Sequence, residues 1–145
     1  MVDELLCILR DMRDAVPYDS CSVQELRENR LVIVSGVGFA DLDVIVGESF
    51  DVDNIEIPNG EVIYRRRPLI VGDTEQYRAF RRGLHVGNGI RSWLGVPLLD
   101  GDRVVGMMAL DKTEPDFYGA GHLEEAMAYA SRLASAMARY DTQCA

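Results

Sequence analysis

The stretch SWLGVPLLDGDRVVGMMAL, residues 92–110, decides the fold. Its centre is the polar step Asp-Gly-Asp at residues 100–102, and an Asp-Gly pair between two apolar runs is the strongest short-range signal for a β-hairpin. We therefore predict strands at residues 92–99 and 103–110. Because residues 104–110 are continuously apolar, we expect the second strand to be covered on both of its faces.

At both ends of the chain, apolar residues are spaced three and four apart, as on one face of a helix. The first stripe consists of Val2, Leu5, Leu9, Met12 and Val16, and the last, in a helix expected at about residues 121–140, of Leu123, Ala126, Ala130, Leu133, Met137 and Tyr140. Two interpretations stay open, because such a stripe can cover a sheet or can pack against the helices of a partner chain. We predict a homodimer through the terminal helices, with its interface at Leu5, Leu9, Met12, Ala130, Leu133 and Met137.

The segments between these landmarks alternate between short strands and short helices. Pro17 ends the first helix. The remaining predicted elements are strands at residues 18–28, 31–35 and 69–71, a long acidic loop with a short helix at residues 41–54, helices at residues 58–66 and 74–82, and a flexible loop at residues 83–89. We expect Thr74 to cap the second of these helices. The order of the elements predicts an α+β fold with a largely antiparallel sheet.

The composition fits one globular domain and excludes several classes of protein. The 145 residues carry a net charge of −9, which argues against nucleic acid as a partner, because phosphate binding needs an excess of lysine and arginine. No apolar run reaches the roughly 18 residues of a membrane span, so we expect no membrane contact by this domain. Cys7, Cys21 and Cys144 are odd in number and far apart, which favours reduced thiols and a cytoplasmic location.

Side chains that carry catalysis or bind metals form no recognised motif. His85 and His122 lie outside every zinc-protease and hydrolase pattern, and a solvent-facing position is the simplest interpretation for both. A haem or metal role for His85 stays as a minor alternative. The aspartates of the acidic loop lack the order of a calcium-binding loop. Since no nucleophile is paired with a base, we expect that the chain is not an enzyme.

Two basic clusters, at residues 65–67 and 81–82, stand out in this acidic chain, and Arg91 follows them closely. They could gather an anionic ligand at the ends of helices. They could equally pair with the many surface carboxylates, and both interpretations stay open.

The hairpin and the segments around it resemble GAF domains. The hairpin residues that carry the resemblance are Ser92-Trp93-Leu94-Gly95-Val96-Pro97-Leu98, Gly101, Val104-Val105-Gly106 and Ala109-Leu110-Asp111. Upstream, residues 57–62 and 68–73 are similar to the helix and the short strand of the same family, and residues 117–139 are similar to its closing helix. The resemblance covers nearly the whole chain.

The resemblance implies a central antiparallel sheet with the terminal helices on one face and, on the other, a pocket roofed by loops and short helices. It also implies a sensory module of a signalling protein, such as a histidine kinase or a diguanylate cyclase, that transmits the state of a bound small molecule through its terminal helices to an output domain. We therefore expect residues 1–145 to be a single GAF-like domain, a fragment of a larger signalling protein. A ligand-free module that serves dimerisation is the alternative.

Comparison with GAF subtypes reduces the number of ligand classes to consider, although it identifies neither the ligand nor a cofactor. Asp111-Lys112 and Phe117 are similar to parts of the motif of cyclic-nucleotide GAF domains, but Gly121-His122 stands where that motif has an acidic pair. Bilin-binding members attach their pigment to a cysteine near residues 74–88, and methionine sulfoxide reductase members use cysteines in the middle of the chain. Residues 22–143 contain no cysteine, which disfavours both subtypes.

For an unidentified small molecule, we predict a mostly apolar pocket with a few placed polar groups. The candidate ligand-binding residues are Tyr64, Asp73, Tyr77, Phe80, Arg91, Trp93 and Met107. Asp73 and Arg91 would supply polar contacts, and the aromatic side chains and Met107 would supply an adaptable apolar wall. Packing in the protein core is the alternative interpretation for the aromatic side chains.

Overall fold

The computed structural model describes residues 1–52, 57–77 and 89–144, with side chains up to Tyr140. The described residues form four α-helices, a 3₁₀ turn and six strands. The helices are α1 (Val2–Met12), α2 (Leu42–Ile45), α3 (Pro58–Arg65) and α4 (Ala120–Cys144), and the 3₁₀ turn is Thr74–Gln76. The strands are β1 (Ser20–Arg27), β2 (Arg30–Val37), β3 (Ser49–Asp51), β4 (Leu69–Val71), β5 (Ser92–Asp100) and β6 (Arg103–Lys112).

The six strands form one antiparallel sheet in the order β3-β2-β1-β6-β5-β4. The predicted hairpin lies inside this sheet, because β5 pairs with one side of β6 and β1 pairs with the other. Each edge is a strand of only three residues, β3 on one side and β4 on the other. The predicted α+β fold with a mainly antiparallel sheet is therefore confirmed.

A β-bulge in β6 changes which residues face each side of the sheet. Leu98 is opposite Gly106, whereas Leu99 is opposite Val104, so Val105 is the additional residue. An additional residue shifts the alternation of the side chains that follow it. Beyond the bulge, Met108 and Leu110 enter one apolar cluster, while Met107 and Ala109 enter another on the opposite face. As predicted, this apolar strand is covered on both of its faces.

The helices α1 and α4 cover one side of the sheet, which we call the helix face. α4 packs on β5 and β6, and α1 packs on β2 and against α4. The two helices run in opposite directions, since Arg132 pairs with Asp11 at 3.4 Å and Arg139 pairs with Glu4 near the other end. Although α4 has 25 residues, neither it nor any other helix in the described ranges combines the length and the hydropathy of a membrane span.

The residues predicted to form a dimer interface lie inside this layer. They are Leu5, Leu9, Met12, Ala130, Leu133 and Met137, and all six are buried within the single chain. Their stripes cover the sheet, which was the alternative interpretation, because the apolar surface that packs on the sheet is not available to a partner. A dimer through the terminal helices would have to use the outer faces of these helices.

One strand lies where a loop was predicted. β3 belongs to the acidic stretch and pairs with β2, with Phe50 opposite Leu31. A strand of three residues is too short to show an alternating pattern, which is why the sequence favoured a loop. The short helix predicted in the same stretch is α2.

Two helix ends also differ from the predictions. α1 ends at Met12 instead of continuing to Pro17, although the Val16 amide still donates to the Met12 carbonyl at 2.8 Å. At the start of the 3₁₀ turn, Asp73 and not Thr74 provides the N-terminal cap, because the Asp73 carboxylate accepts a hydrogen bond from the Glu75 amide at 3.0 Å. The helix predicted at residues 74–82 is a 3₁₀ turn up to Gln76, and its remainder beyond residue 77 lies outside the described residues.

Candidate functional site

The sheet side opposite α1 and α4, which we call the pocket face, carries a second apolar cluster. α3 packs over this face, against β5 and β6. The buried members of the cluster are Leu31, Val52, Val62, Ile63, Val71, Trp93, Met107 and Ala109, and Phe50 and Tyr77 are among the partly buried residues at its border. Three candidate ligand-binding residues, Tyr77, Trp93 and Met107, therefore meet in one cluster.

Cross-strand pairing arranges the side chains of the pocket face in rows, because residues opposite each other on paired strands point to the same side. The first row is Ser20, Asp111, Trp93 and Val71, the middle row is Gly36, Ser22, Ala109, Gly95 and Leu69, and the third row is Ile33, Gln24, Met107 and Pro97. Four of the five middle positions have a small side chain or none. The middle row therefore forms a shallow groove in the sheet surface, and aromatic side chains fill part of it.

Aromatic rings lie over the glycines of this groove. A Cβ at Gly95 would be 2.2 Å from Cη2 of Trp93, and a Cβ at Gly36 would be 2.8 Å from Cε2 of Phe39. Only glycine allows a ring to approach the backbone so closely. Trp93 is 4% exposed, so its ring packs in the core, as the alternative interpretation of the aromatic side chains proposed. Met107, predicted as part of an adaptable pocket wall, is 0% exposed and packs there too.

Strand β1 contributes a buried polar network to the pocket face. Gln24 donates through Nε2 to Ser22 Oγ at 3.1 Å, and its Oε1 accepts from Asn59 Nδ2 at 3.2 Å. Asn59 lies in the first turn of α3, so this hydrogen bond connects the covering helix to the sheet. Buried polar groups are retained where hydrogen bonds satisfy them, and this network gives the face a polar half beside its apolar half.

Asp111 is the buried carboxyl group of the pocket face. It is 6% exposed, and its Oδ2 accepts a hydrogen bond from Ser20 Oγ at 2.7 Å. Burial raises the pKa of Asp111 from 3.8 to about 7, against the opposing effect of the Ser20 bond and with a contribution from the negative charge of Asp19. A carboxyl group with such a pKa changes its charge near neutral pH, and groups of this kind are concentrated at functional sites.

The two charged candidates, Asp73 and Arg91, bind to each other. Arg91 Nε donates to Asp73 Oδ1 at 3.2 Å and Nη2 donates to Oδ2 at 3.0 Å, which is a bidentate pair. The hydrogen bonds from Arg91 and from the Glu75 amide hold the pKa of Asp73 below its ordinary value. The pair connects the end of β4 to the start of β5. The carboxylate and the guanidinium that were predicted to contact a ligand therefore bind each other in this structure.

A cleft of about 360 Å³ lies beside this pair. It is lined by Ile70, Val71, Gly72, Asp73, Gln76, Tyr77 and Asp116. The Tyr77 hydroxyl donates to Glu61 Oε2 at 3.2 Å, and burial together with the Glu61 charge raises the pKa of Tyr77. The structure does not bring Tyr64 to this region, since its side chain is 52% exposed on α3. Phe80 lies outside the described residues.

The sequence analysis did not identify the polar residues of the pocket face as candidate site residues. They are Ser20, Ser22, Gln24, Asn59 and Asp111. The signal was present in β1, where Ser-Cys-Ser-Val-Gln alternates strictly between polar and apolar residues, and such alternation predicts a strand with one polar face. Alternation of this kind predicts a polar face in contact with solvent, whereas the polar face of β1 is buried. The local sequence does not reveal which element covers that face.

Several charged residues outside the pocket face have structural partners. Arg65 pairs with Glu61 at 3.3 Å and Arg66 donates to the Asp102 carbonyl at 3.1 Å. His122 accepts the Gly119 amide at 3.2 Å and stacks on the ring of Phe117. These contacts favour the surface-pairing interpretation of the first basic cluster. Arg81, Arg82 and His85 lie outside the described residues.

Comparison with known proteins places this architecture in one family. The model of the GAF domain family matches residues 3–138. Among solved structures, the chain is similar to the GAF domain of a two-component sensor histidine kinase from Bacillus halodurans, with a TM-score of 0.83, 11% identity, and coverage of 100% of this chain and 99% of that one. A search of curated protein sequences gave no significant match.

Two further structures show how widely this fold is used. The GAF domain of a phosphoenolpyruvate-protein phosphotransferase from Coxiella burnetii has a TM-score of 0.80 at 17% identity and covers 97% of this chain and 96% of its own. The type II free methionine-R-sulfoxide reductase of Thermoplasma acidophilum has a TM-score of 0.77 at 13% identity, and the alignment covers 92% of this chain and 89% of that one. At such identities the likeness concerns the fold, whereas the family model matches almost the entire sequence. This chain belongs to the GAF domain family.

Proposed function

We propose that this domain is a regulatory module that binds a small molecule on the pocket face and transmits the state of that site through α1 and α4. The observation that carries the proposal is the alternation of side chains along β5 and β6. Trp93 and Met107 face the pocket cluster, whereas their neighbours Leu94 and Met108 face the helices. Since protein interiors are close-packed, a ligand that displaces side chains on one face disturbs the packing under α4.

The histidine kinase relative supports a place for this domain in a larger signalling protein. That relative is a GAF domain of a sensor kinase and aligns with the whole of this chain. We accordingly propose that residues 1–145 act as a single input domain and that an output domain in the full-length protein receives the signal.

A regulatory role is favoured over a catalytic one by the burial of Cys21. Cys21 points into the cluster of the helix face, and burial raises the pKa of its thiol to about 12. A thiolate is the nucleophilic form, so this thiol is suppressed. We expect the purified protein not to reduce free methionine sulfoxide when dithiothreitol is the reductant, whereas turnover would support the catalytic class that the sulfoxide reductase relative represents.

We also propose a homodimer, formed by the outer faces of the terminal helices. Between α1 and α4 lies an open groove of about 370 Å³ whose lining includes Cys7, Ala128, Ser131 and Ser135. The three α4 residues of this set are exposed, small, and spaced three and four apart. Small residues at this spacing allow a helix of a second copy to approach closely. The apolar stripes first predicted for the interface stay in the core of each chain.

Hydrogen–deuterium exchange tests the sensory proposal. Native mass spectrometry of freshly purified protein first identifies any copurified molecule, and a thermal-shift panel of nucleotides, amino acids, aromatic acids, haem and bilins searches for others. With a molecule that binds, we expect slower exchange in the strands of the pocket face and a changed rate in α1 or α4. Binding without any change in either helix would contradict the signalling part of the proposal.

A variant pair assigns the effect to the pocket face. Ala109→Leu fills the middle row, so we expect it to abolish stabilisation by the molecule while the far-ultraviolet circular dichroism stays unchanged. Ala120→Leu adds the same atoms at the exposed start of α4, outside the proposed dimer interface, and serves as the matched control. Equal binding by both variants would place the site elsewhere.

A ligand-free dimerisation module is the second candidate function. It is favoured by the near-complete burial of Trp93 and Met107, because side chains that already fill a cluster leave less room for a ligand. Under this function the panel yields no stabilising molecule and Ala109→Leu lowers the melting temperature, since added methyl groups overpack a filled core.

A further inference from the structure

The large hydrophobic residues that remain exposed are grouped in two patches. Among the described residues, six large hydrophobic side chains are more than a third exposed. Four of these six are Val44 and Val46 in one patch and Leu99 and Met127 in the other. Single exposed apolar residues are ordinary on a protein surface, whereas grouped ones mark interaction surfaces. Each patch is therefore a candidate contact for a partner.

The first patch is acidic, and we call it the acidic knob. It consists of Val44 and Val46 together with Asp41, Asp43 and Glu48, in and around α2. α2 packs on β2, the second strand from one edge of the sheet. Within the described residues, none of the three carboxylates takes part in a salt bridge. The knob therefore presents two apolar side chains beside uncompensated negative charge.

The second patch is a groove of about 180 Å³ between β5 and α4, which we call the edge groove. Leu99 and Met127 line it, and Pro68 and Val96 add further apolar surface. β5 is the second strand from the sheet edge that β4 forms, whereas the knob lies near the edge that β3 forms. The two patches therefore lie near opposite edges of the sheet.

The edge groove has an excess of positive charge at one end. Arg66 lines the groove and Arg67 follows it in the sequence, and in the described ranges neither guanidinium group forms a salt bridge. In the nearby hairpin turn, Asp100 pairs with Arg103 at 3.8 Å, which leaves Asp102 as the exposed carboxylate of the turn without an ion pair. Free positive groups thus outnumber free negative ones here, in a chain whose net charge is −9.

We propose that the acidic knob of one copy of this chain docks in the edge groove of a second copy, in a head-to-tail contact. Val44 and Val46 cover Leu99 and Met127, and the carboxylates of the knob face the arginines at residues 66–67. Each surface then meets its complement, apolar against apolar and negative against positive, an arrangement that gives an interface its specificity.

A different copy has to supply the knob, because a sheet of six strands with a spacing of ~4.8 Å separates the two edges by on the order of 20 Å. The two surfaces differ, so the contact is heterologous and leaves one knob and one groove free for further copies. Side chains form the contact, and no strand is added to the sheet. Since both patches are small and charged, the contact should be weak and should require high concentration and low salt.

Nuclear magnetic resonance of the Ala128→Arg variant tests the proposal apart from the homodimer, because Ala128 lines the groove between α1 and α4 and not the edge groove. We expect backbone resonances of the knob and of the edge groove to shift together as the concentration rises from about 0.05 to about 1 mM. The shifts should be at least roughly threefold smaller at about 0.5 M salt than at about 0.02 M salt.

Two further substitutions in the same variant assign the two halves of the contact. Val44→Lys disables the knob and Met127→Glu disables the groove, and both positions are exposed, so the circular dichroism should stay unchanged. We expect each variant alone to lose the shifts. With one partner labelled at a time, a mixture should restore them in the intact groove of the first variant and the intact knob of the second. Val2→Lys and Val2→Glu place the same charges at an exposed residue outside both patches and should associate normally.

Three results would overturn the inference: no shifts at about 1 mM and low salt, shifts that persist in either patch variant, or a mixture that does not restore them. Loss of association in the Val2 variants would overturn it as well, since an added charge at any exposed position would then be sufficient. None of these results concerns ligand binding on the pocket face. If Ala128→Arg remained dimeric, the interface proposed for the homodimer would be wrong, while the mixture would still report on the two patches.

Discussion

Gly95 and Trp93 are two residues apart on β5, and the position of the indole ring depends on the absence of a side chain at Gly95. The ring occupies the space in which a Cβ would lie. Because the ring also belongs to the apolar cluster of the pocket face, its position influences the packing of that face. A change at this glycine therefore tests the packing of the face directly.

We predict that Gly95→Ala lowers the free energy of unfolding by about 1–3 kcal/mol, because the added methyl group overpacks the site and displaces the Trp93 ring. Urea unfolding followed by Trp93 fluorescence measures this change, and the emission maximum of the folded protein should shift. Gly121→Ala in α4 has open space around the added carbon, so it should be neutral or slightly stabilising. Equal stability of the two variants would show that the ring accommodates the methyl group.

Asp111 gives the stability of the protein a distinct pH dependence. Its pKa is about 7 in the folded protein and 3.8 ordinarily, so the folded state binds the additional proton between these values. The stability contributed by this group is complete below the lower value and is lost as the pH rises through the higher one.

Asp111→Asn should therefore gain stability relative to the unmodified protein as the pH rises from about 4 to about 8, by an amount on the order of a few kcal/mol. Urea unfolding of both proteins across this range gives the difference at each pH. Asp102→Asn, at an exposed position, should follow the unmodified protein. A difference between Asp111→Asn and the unmodified protein that is constant with pH would mean that Asp111 titrates normally.

The residues of the candidate site could be predicted from the sequence only in part. Trp93 and Met107 were identified because large apolar residues in a recognisable hairpin are either core or pocket wall. Asp111 was identified only as part of a subtype motif, since its burial depends on Ser20, which is 91 residues away. Long-range pairs of this kind are set by strand register, which the local sequence does not specify.

At the scale of elements, α4 packs on the helix face of the sheet through one stripe of buried apolar residues. Leu133 lies in the middle of this helix and is 0% exposed, with its side chain in the cluster that joins the helices to the sheet. The spacing of three and four residues predicted this stripe correctly. What the spacing could not decide was whether the stripe would meet a sheet or a partner, because both surfaces are apolar.

We predict that Leu133→Ala lowers the free energy of unfolding by about 2–5 kcal/mol, because it leaves a cavity under α4 that the surrounding helices and strands fill only partly. Glu124→Ala, in the same helix and exposed outside the proposed dimer interface, should change stability by less than about 0.5 kcal/mol. Thermal or urea unfolding of both variants provides the comparison. A small effect of Leu133→Ala would indicate that α4 is loosely docked.

Of the elements with three residues, the sequence predicted β4 but not β3 or the 3₁₀ turn. The paired segment at β3 and the turn at residues 74–76 contain too few residues for a periodic pattern, and each depends on a distant partner. Thr74, for example, donates through its hydroxyl to the Ile90 carbonyl at 2.7 Å. The long strands and terminal helices were predicted because their patterns repeat.

At the scale of the whole molecule, we expect the chain to form a homodimer with a mass twice that of one chain in light scattering at about 100 μM, a concentration-dependent equilibrium. Ala128→Arg places a charge in the outer groove between α1 and α4 and should give monomers with an unchanged circular dichroism spectrum. Asp102→Arg in the hairpin turn is the control and should remain dimeric. A monomer for the unmodified chain at this concentration would count against the proposed interface.

The two edges of the sheet have a consequence for how the protein behaves at high concentration. β3 and β4 offer only three residues each to an incoming strand. Beyond β4, which pairs with β5 only as far as Gly95, the edge of β5 contains Pro97, which has no amide hydrogen to donate. Short edges and an edge proline hinder the addition of foreign strands. Such a sheet resists ribbon-like aggregation, so a cell could accumulate this domain in quantity without fibre formation starting at its sheet edges.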